Sequence, residues 1–179
     1  MTDTVLAICG ALRSGSFNRK LLAQAFAAYG EAEAVHADLR LPLYDGDLET
    51  RDGIPPAVQT LSDQIRDASA IIIASPEYNK SVSGVLKNAL DWVSRTKGPV
   101  WPGKPVAILS ANDGREGGAR GQYALRLCLT PFRADVLQGP EVCVADCSHA
   151  FDADGRLLDV RYQKALADLM ATLRGKARR

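Results

Sequence analysis

Thr4-Val5-Leu6-Ala7-Ile8-Cys9-Gly10-Ala11-Leu12-Arg13-Ser14-Gly15-Ser16-Phe17-Asn18 is an apolar run of strand length that passes into a turn of small and hydroxyl residues. Downstream, Leu21, Leu22, Ala25, Phe26 and Tyr29 recur at helical spacing after Asn18, a good helix start. A strand, a short turn and a helix N-terminus make a geometry suited to holding a phosphate. The helix start offers unpaired N–H groups and partial positive charge, Ser14, Ser16 and Asn18 add hydrogen-bond donors, and Arg13 adds a charged fork. An ordinary strand-to-helix connection is the alternative reading of the same residues.

The turn differs from its better-known relatives. Gly10 and Gly15 are spaced as in a P-loop, but Ser16-Phe17 follow where that loop has Lys and a magnesium-binding hydroxyl. Nor does the turn match G-x-G-x-x-G, so a dinucleotide fingerprint is absent. What remains is a loop for a terminal monophosphate.

A second segment repeats the pattern. Ala70-Ile71-Ile72-Ile73-Ala74-Ser75 reads as a fully apolar strand, followed by Pro76-Glu77-Tyr78-Asn79-Lys80-Ser81-Val82-Ser83-Gly84 and then by Val85, Leu86, Leu90 and Val93 on one helical stripe. Pro76 ends the strand, Tyr78 offers a flat ring and Asn79 an amide that both donates and accepts. Such a turn suits a planar heterocycle. Tyr78 and Trp92 also read as plain core or surface aromatics, which for Trp92 is the preferred reading.

Together these residues resemble the NADPH-dependent FMN reductase family, a flavodoxin-like group that includes quinone and chromate reductases. Residues 10–18 look like its G-S-L-R-x-x-S-x-N loop, and Pro76 to Trp92 is similar to its P-E-Y-N-x-S-x-P-G-x-L-K-N-A-x-D-W block. Leu41-Pro42-Leu43-Tyr44-Asp45 resembles a third landmark of the family, and the likeness runs from the first strand to the last helix. Two departures stand out: Ala11 where the family has Ser, and Ser83 where it has Pro, which implies a less rigid turn before Gly84.

The resemblance implies FMN as cofactor and NADPH or NADH as co-substrate. It places FMN on Arg13, Ser14, Ser16, Phe17 and Asn18, on Pro76, Glu77, Tyr78 and Asn79, the last group largely through backbone atoms, and on Ser110, Ala111 and Asn112. The flavin carries the chemistry, so no side chain is assigned as a catalytic acid or base. Nicotinamide and acceptor are expected to use one flavin face in turn, by ping-pong kinetics, with quinones as acceptors and chromate, azo compounds or free flavin as alternatives. A flavodoxin-like electron carrier that leaves nicotinamide untouched is the rival reading. Near-neutral charge and the Pro76–Asn79 block disfavour it. Family members are commonly homodimers or homotetramers, and an open edge beside Tyr78 and Trp92 invites a partner subunit.

The expected fold is α/β: a single flavodoxin-like domain over residues 1–179, with a doubly wound, five-stranded parallel sheet in the order 2-1-3-4-5. Strands are predicted at 4–9, 34–38, 70–75, 105–110 and 136–144, and helices at 18–29, 55–68, 83–95, 118–131 and 160–174. That order puts the ligand crevice at the carboxyl ends of the first and third strands, where both motifs begin. Ser110 to Gly118, after the fourth strand, is expected to form a flexible wall on the same edge, its Arg115 a candidate contact for the extra phosphate of NADPH.

Composition agrees. The chain has 179 residues, 46% hydrophobic, and a formal net charge of +1, which gives no electrostatic case for a nucleic-acid partner. No apolar run approaches the roughly 18 residues of a membrane helix, and a strand begins almost at the first residue, so a cytoplasmic location is expected. Cys9, Cys128, Cys143 and Cys147 are read as free thiols rather than metal ligands, because zinc sites favour tighter pairs. His36 and His149, the only histidines, support no histidine-based chemistry. The basic tail Lys176 to Arg179 is expected to complement the last helix and fray.

Overall fold

The structure is a computed structural model that describes residues 2–178. Its elements in chain order are β1 (Thr4–Cys9), α1 (Phe17–Tyr29), β2 (Glu33–His36), α2 (Gly46–Asp52), α3 (Pro56–Asp67), β3 (Ala70–Ala74), α4 (Gly84–Val93), β4 (Pro105–Ala111), α5 (Ala119–Leu129), a single 3-10 turn (Thr130–Phe132), β5 (Asp135–Val136), β6 (Val142–Val144) and α6 (Val160–Ala177). The sheet runs β2-β1-β3-β4-β5, every pairing parallel, as expected of a flavodoxin-like fold.

Strand alternation sorts the core into two layers. Val5, Ala7, Cys9, Ile72 and Leu109 point to the face covered by α1 and α6, where Leu21, Leu22, Leu169 and Leu173 meet them. Leu6, Ile8, Ile71, Ile73 and Ile108 point to the other face, against Leu61, Ile65, Leu86, Leu90 and Leu125 of α3, α4 and α5. Both faces are buried, which is why these strands read as unbroken apolar runs.

The fifth strand differs from expectation. The predicted 136–144 strand is two short pieces, β5 beside the start of β4 and β6 beside its end, with Gly139-Pro140 between them. Pro140 has no N–H to give a ladder, and an edge position tolerates the break. Helix α2 was not foreseen: none of its residues is buried, so no apolar stripe announces it, and Asp45 starts it by accepting from the Asp47 N–H. The tail does not fray as expected. Lys176 Nζ bonds the Asp135 carboxylate at 2.8 and 2.5 Å, and Arg178 Nε bonds Asp3 at 3.0 Å. Arg179 lies outside the described residues.

Asp3 also accepts from the Tyr29 hydroxyl at 3.0 Å, fastening the end of α1 to the start of the sheet. Burial first, and then Asp3, push the Tyr29 phenol up to about 12 from 10.0. Between these values the unfolded chain gives up a proton that the folded chain keeps, so stability is complete below pH 10 and falls as pH rises toward 12. The loss of urea midpoint between about pH 8 and about pH 11 should be smaller in Tyr29→Phe than in the parent. An equal loss in the two proteins contradicts the assignment.

Candidate active site

In a parallel sheet all the strand-to-helix turns emerge at one edge, and here three of them converge. The turn after β1 supplies Ala11, Arg13, Ser16, Phe17 and Asn18, the turn after β3 supplies Pro76 and Tyr78, and the turn after β4 supplies Ala111, Asn112 and Asp113. With Cys147 they line a cleft of about 110 Å³. It shares Ala11, Arg13 and Tyr78 with a cavity of about 370 Å³ walled by Leu12, Gly84 and Val85. That cavity in turn shares Leu12, Gly84 and Val85 with one of about 550 Å³ under the 39–43 loop. The result is a groove that is polar at one end and broad and apolar at the other. A cavity of about 630 Å³ beneath Val100, Trp101 and Phe132 precedes β4 and takes nothing from the three turns, so it is not this site.

The polar end presents open N–H donors and one cation, which suit an anion. Ser16 is the N-cap of α1, yet its hydroxyl does not cap the helix, and the first turn holds no acidic residue. The amides of Ser16, Phe17 and Asn18 therefore keep the positive end of the helix dipole open beside Arg13. Gly10 is required for a steric reason. A Cβ there would lie 2.5 Å from the Ser75 hydroxyl, so only glycine lets the first and second turns pack this closely.

Several expected contacts take a different form. The Asn18 side chain does not point free toward a ligand: its Nδ2 donates to the Ala111 carbonyl at 2.9 Å and its Oδ1 accepts from the Ala111 N–H at 3.0 Å. Asn18 thus joins the first turn to the third, leaving its backbone N–H for an anion. Ser110 is wholly buried, and its hydroxyl donates to the Gly117 carbonyl at 2.6 Å rather than facing the cleft. Glu77 receives the Gly121 N–H at 3.1 Å at the start of α5, and its own N–H donates to Asn112 Oδ1 at 3.3 Å. Tyr78 and Ser81 exchange backbone bonds of 3.1 and 3.0 Å across a turn in which Asn79 and Lys80 both have positive φ, 51° and 64°. Asn79 suits that left-handed position, which is what the turn takes from it. Tyr78, 54% exposed, stands between the two ends of the groove.

The wall after β4 is pinned where flexibility was expected. Asn112 N–H donates to the Val144 carbonyl at 3.0 Å, and a Cβ on Gly117 would sit 2.3 Å from the Cys143 carbonyl oxygen. Asp113 accepts from Ser148 N–H at 2.9 Å and from the Cys147 thiol at 3.3 Å. The Ser148 backbone bond is the leading cause holding the Asp113 carboxyl below the usual carboxylate range. Burial and then Asp113 push the Cys147 thiol up to about 12, so it is a protonated donor and not a nucleophile. The sequence marked neither Asp113 nor the free thiol of Cys147 as lining the cleft, because the partners of each lie more than thirty residues away. Arg115 is exposed on this loop.

Trp92 is no part of an open edge. It is fully buried, and its indole N–H donates to the Pro42 carbonyl at 2.8 Å, with Asn88 Nδ2 on the same oxygen at 2.9 Å. That pair ties the 41–45 segment to α4. Ser83 has φ −66° and ψ 145°, values a proline adopts, so the departure from Pro does not change the backbone path.

These residues fit FMN: an uncapped helix N-terminus with Arg13 for the phosphate, and a broad apolar groove beyond Tyr78 for a flat ring. An α/β sheet of this order with such a crevice at its switch point defines a flavodoxin-like mononucleotide-binding protein. The model of NADPH-dependent FMN reductase matches residues 4–148, and the chain belongs to that family. It is an oxidoreductase of a family that uses FMN, with NAD(P)H as electron donor. It is 44% identical over 177 residues to an NAD(P)H-dependent FMN reductase of Pseudomonas aeruginosa, covering 98% of this chain and 95% of that one. A quinone reductase of Escherichia coli (strain K12) is 43% identical over 140 residues, 76% of this chain and 74% of that one. The solved structure of FerB, a flavoenzyme NAD(P)H:(acceptor) oxidoreductase from Paracoccus denitrificans, superposes with a TM-score of 0.87 at 30% identity, covering 99% of this chain and 98% of that one.

Two substitutions check this geometry. Asn18→Ala strands two buried backbone groups of Ala111 and should cost about 2–5 kcal/mol in urea unfolding, with Asn18→Asp in between because it keeps only the acceptor. A loss under about 0.5 kcal/mol in Asn18→Ala contradicts the link. Among the described residues the buried Ser83 hydroxyl has no hydrogen-bond partner. Ser83→Pro should therefore stabilise the chain by about 0.4–1 kcal/mol, and destabilisation would show that the Ser83 backbone is not proline-like.

Proposed function

We propose that this chain is an FMN-dependent NAD(P)H:quinone oxidoreductase in which nicotinamide and quinone use one groove in turn. The observation that carries the reading is the continuity of the groove. The anion end at Arg13 and the α1 N-terminus opens past Tyr78 into an apolar stretch bordered by Leu12 and Val85. When bound, FMN supplies the two-electron chemistry. The protein's part is binding and exclusion. Arg13 neutralises the phosphate, the Ser14 and Ser16 hydroxyls and the amides of Ser16 to Asn18 bond it, and the pinned wall from Ala111 to Asp113 fixes the width of the cleft.

Acceptor selection follows from the same walls. Tyr78, Leu12 and Val85 offer flat and aliphatic contact with few obligatory hydrogen bonds, which suits quinones of varied substitution. Chromate, azo compounds and free flavin are secondary acceptors in this reading. We place the enzyme in the cytoplasm, beside its nicotinamide supply, as a homodimer or homotetramer. Tyr123 and Leu127, exposed one turn apart on α5, support self-association.

Anaerobic mixing of the FMN-loaded chain with NADPH or NADH should bleach the flavin, and a quinone should restore its colour. Steady-state rates should give parallel lines in double-reciprocal plots. A chain that binds FMN but stays oxidised under both nicotinamides is an electron carrier, and intersecting lines would place the acceptor at a separate site. Arg13→Ala should weaken FMN binding by about 1.5–3 kcal/mol, and unchanged affinity would remove the phosphate assignment.

A further inference from the structure

The phosphate end has a flank that reaches beyond the two motifs. Phe17, the first residue of α1, stacks on Phe151 with ring centroids 6.0 Å apart and planes 13° from parallel. The Arg13 guanidinium carbon lies over the Phe17 ring, 5.3 Å from its centre. Lys20 Nζ lies 5.5 Å from the Phe17 centre and 5.9 Å from that of Phe151. Among the described residues Arg13 forms no ion pair and no hydrogen bond, and the ring beneath its guanidinium is that of Phe17.

Phe151 is held in its turn by a small hairpin after β6. It pairs with Leu157 in an antiparallel bridge, while Asp152 N–H donates to the Arg156 carbonyl at 2.9 Å and Leu158 N–H to the Ala150 carbonyl at 3.0 Å. The hairpin tip also meets Lys20: a Cβ on Gly155 would lie 3.7 Å from Lys20 Cγ. The segment that presents Phe151 therefore also runs along the stem of the second cation.

We propose that Phe151 is a positioning residue for the flavin phosphate: it holds Phe17 in place, and Phe17 holds the Arg13 guanidinium at the open N-terminus of α1. A long exposed guanidinium loses rotamer entropy when it clasps a phosphate. A ring that already restricts it lowers that cost, and Lys20 adds a second positive charge beside the loop. Phe151 thus governs how tightly the phosphate is held, and leaves the isoalloxazine contacts alone. The inference rests on the reading of residues 13 to 18 as the phosphate site.

The test uses the full chain stripped of flavin, titrated with FMN and with riboflavin, which lacks the phosphate, by flavin fluorescence. Phe151→Leu should weaken FMN about three- to tenfold, while riboflavin changes less than about twofold. Phe151→Tyr, which keeps the ring, should restore FMN binding. In an Arg13→Ala background Phe151→Leu should add little further loss, because the group it positions is gone. Equal losses for FMN and riboflavin, or full additivity with Arg13→Ala, would overturn the proposal by showing that Phe151 only supports the local fold. If Arg13→Ala leaves FMN affinity unchanged, the phosphate assignment itself fails and takes this inference with it. Loss in Arg13→Ala without loss in Phe151→Leu overturns the inference alone.

Discussion

The paired hydrogen bonds between the Asn18 side chain and the backbone of Ala111, 2.9 and 3.0 Å long, connect groups 93 residues apart and hold the site together. They set the N-terminus of α1 against the end of β4, so that the open amides of the helix face the same space as the second and third turns. Both bonds are buried, where an unmatched backbone N–H or carbonyl is costly, so this side chain is confined to one arrangement. Everything else at the polar end depends on it. Arg13 and Ser16 sit on the strand-to-helix turn just ahead of Asn18, Asp113 and Asn112 just after Ala111.

The energetic logic divides the molecule. The sheet interior is aliphatic on both faces and supplies the stability. The carboxyl edge gives up part of that stability to an uncapped helix start and to positive φ at Asn79 and Lys80. Those features are unfavourable in an empty protein. In the proposed reading a phosphate on the open amides of α1 and a flat ring on the apolar walls offset the cost of the uncapped helix start, and a tightly tied scaffold holds both in place.

What the sequence showed depended on distance along the chain. β1, the 10–18 turn and α1 are contiguous, and β3 passes directly into Pro76 to Asn79, so apolar runs, turn residues and helical spacing reported them. The family likeness rested on those same contiguous stretches, and the family match bears it out. Non-local facts left no local trace. Asn18 read as a donor toward a ligand because its partner lies at Ala111. Ser110 read as a cleft residue because the Gly117 carbonyl that absorbs its hydroxyl is set by the loop's path. Cys147 and Phe151 carry no motif, and α2 buries nothing that would mark a stripe. The break between β5 and β6 has a local signal, Gly139-Pro140 in the middle of the predicted 136–144 strand.

Binding of the flavin phosphate at the N-terminus of α1 has a direct readout in backbone amide chemical shifts. With 15N-labelled flavin-free chain, FMN should move the amide resonances of Ser16, Phe17 and Asn18 strongly downfield, as charge-assisted bonds to a phosphate require. Riboflavin should perturb the Tyr78 and Val85 amides while leaving those three nearly in place. Equal shifts at Ser16 to Asn18 from the two flavins, or none from FMN, would show that the phosphate does not bind at this helix start.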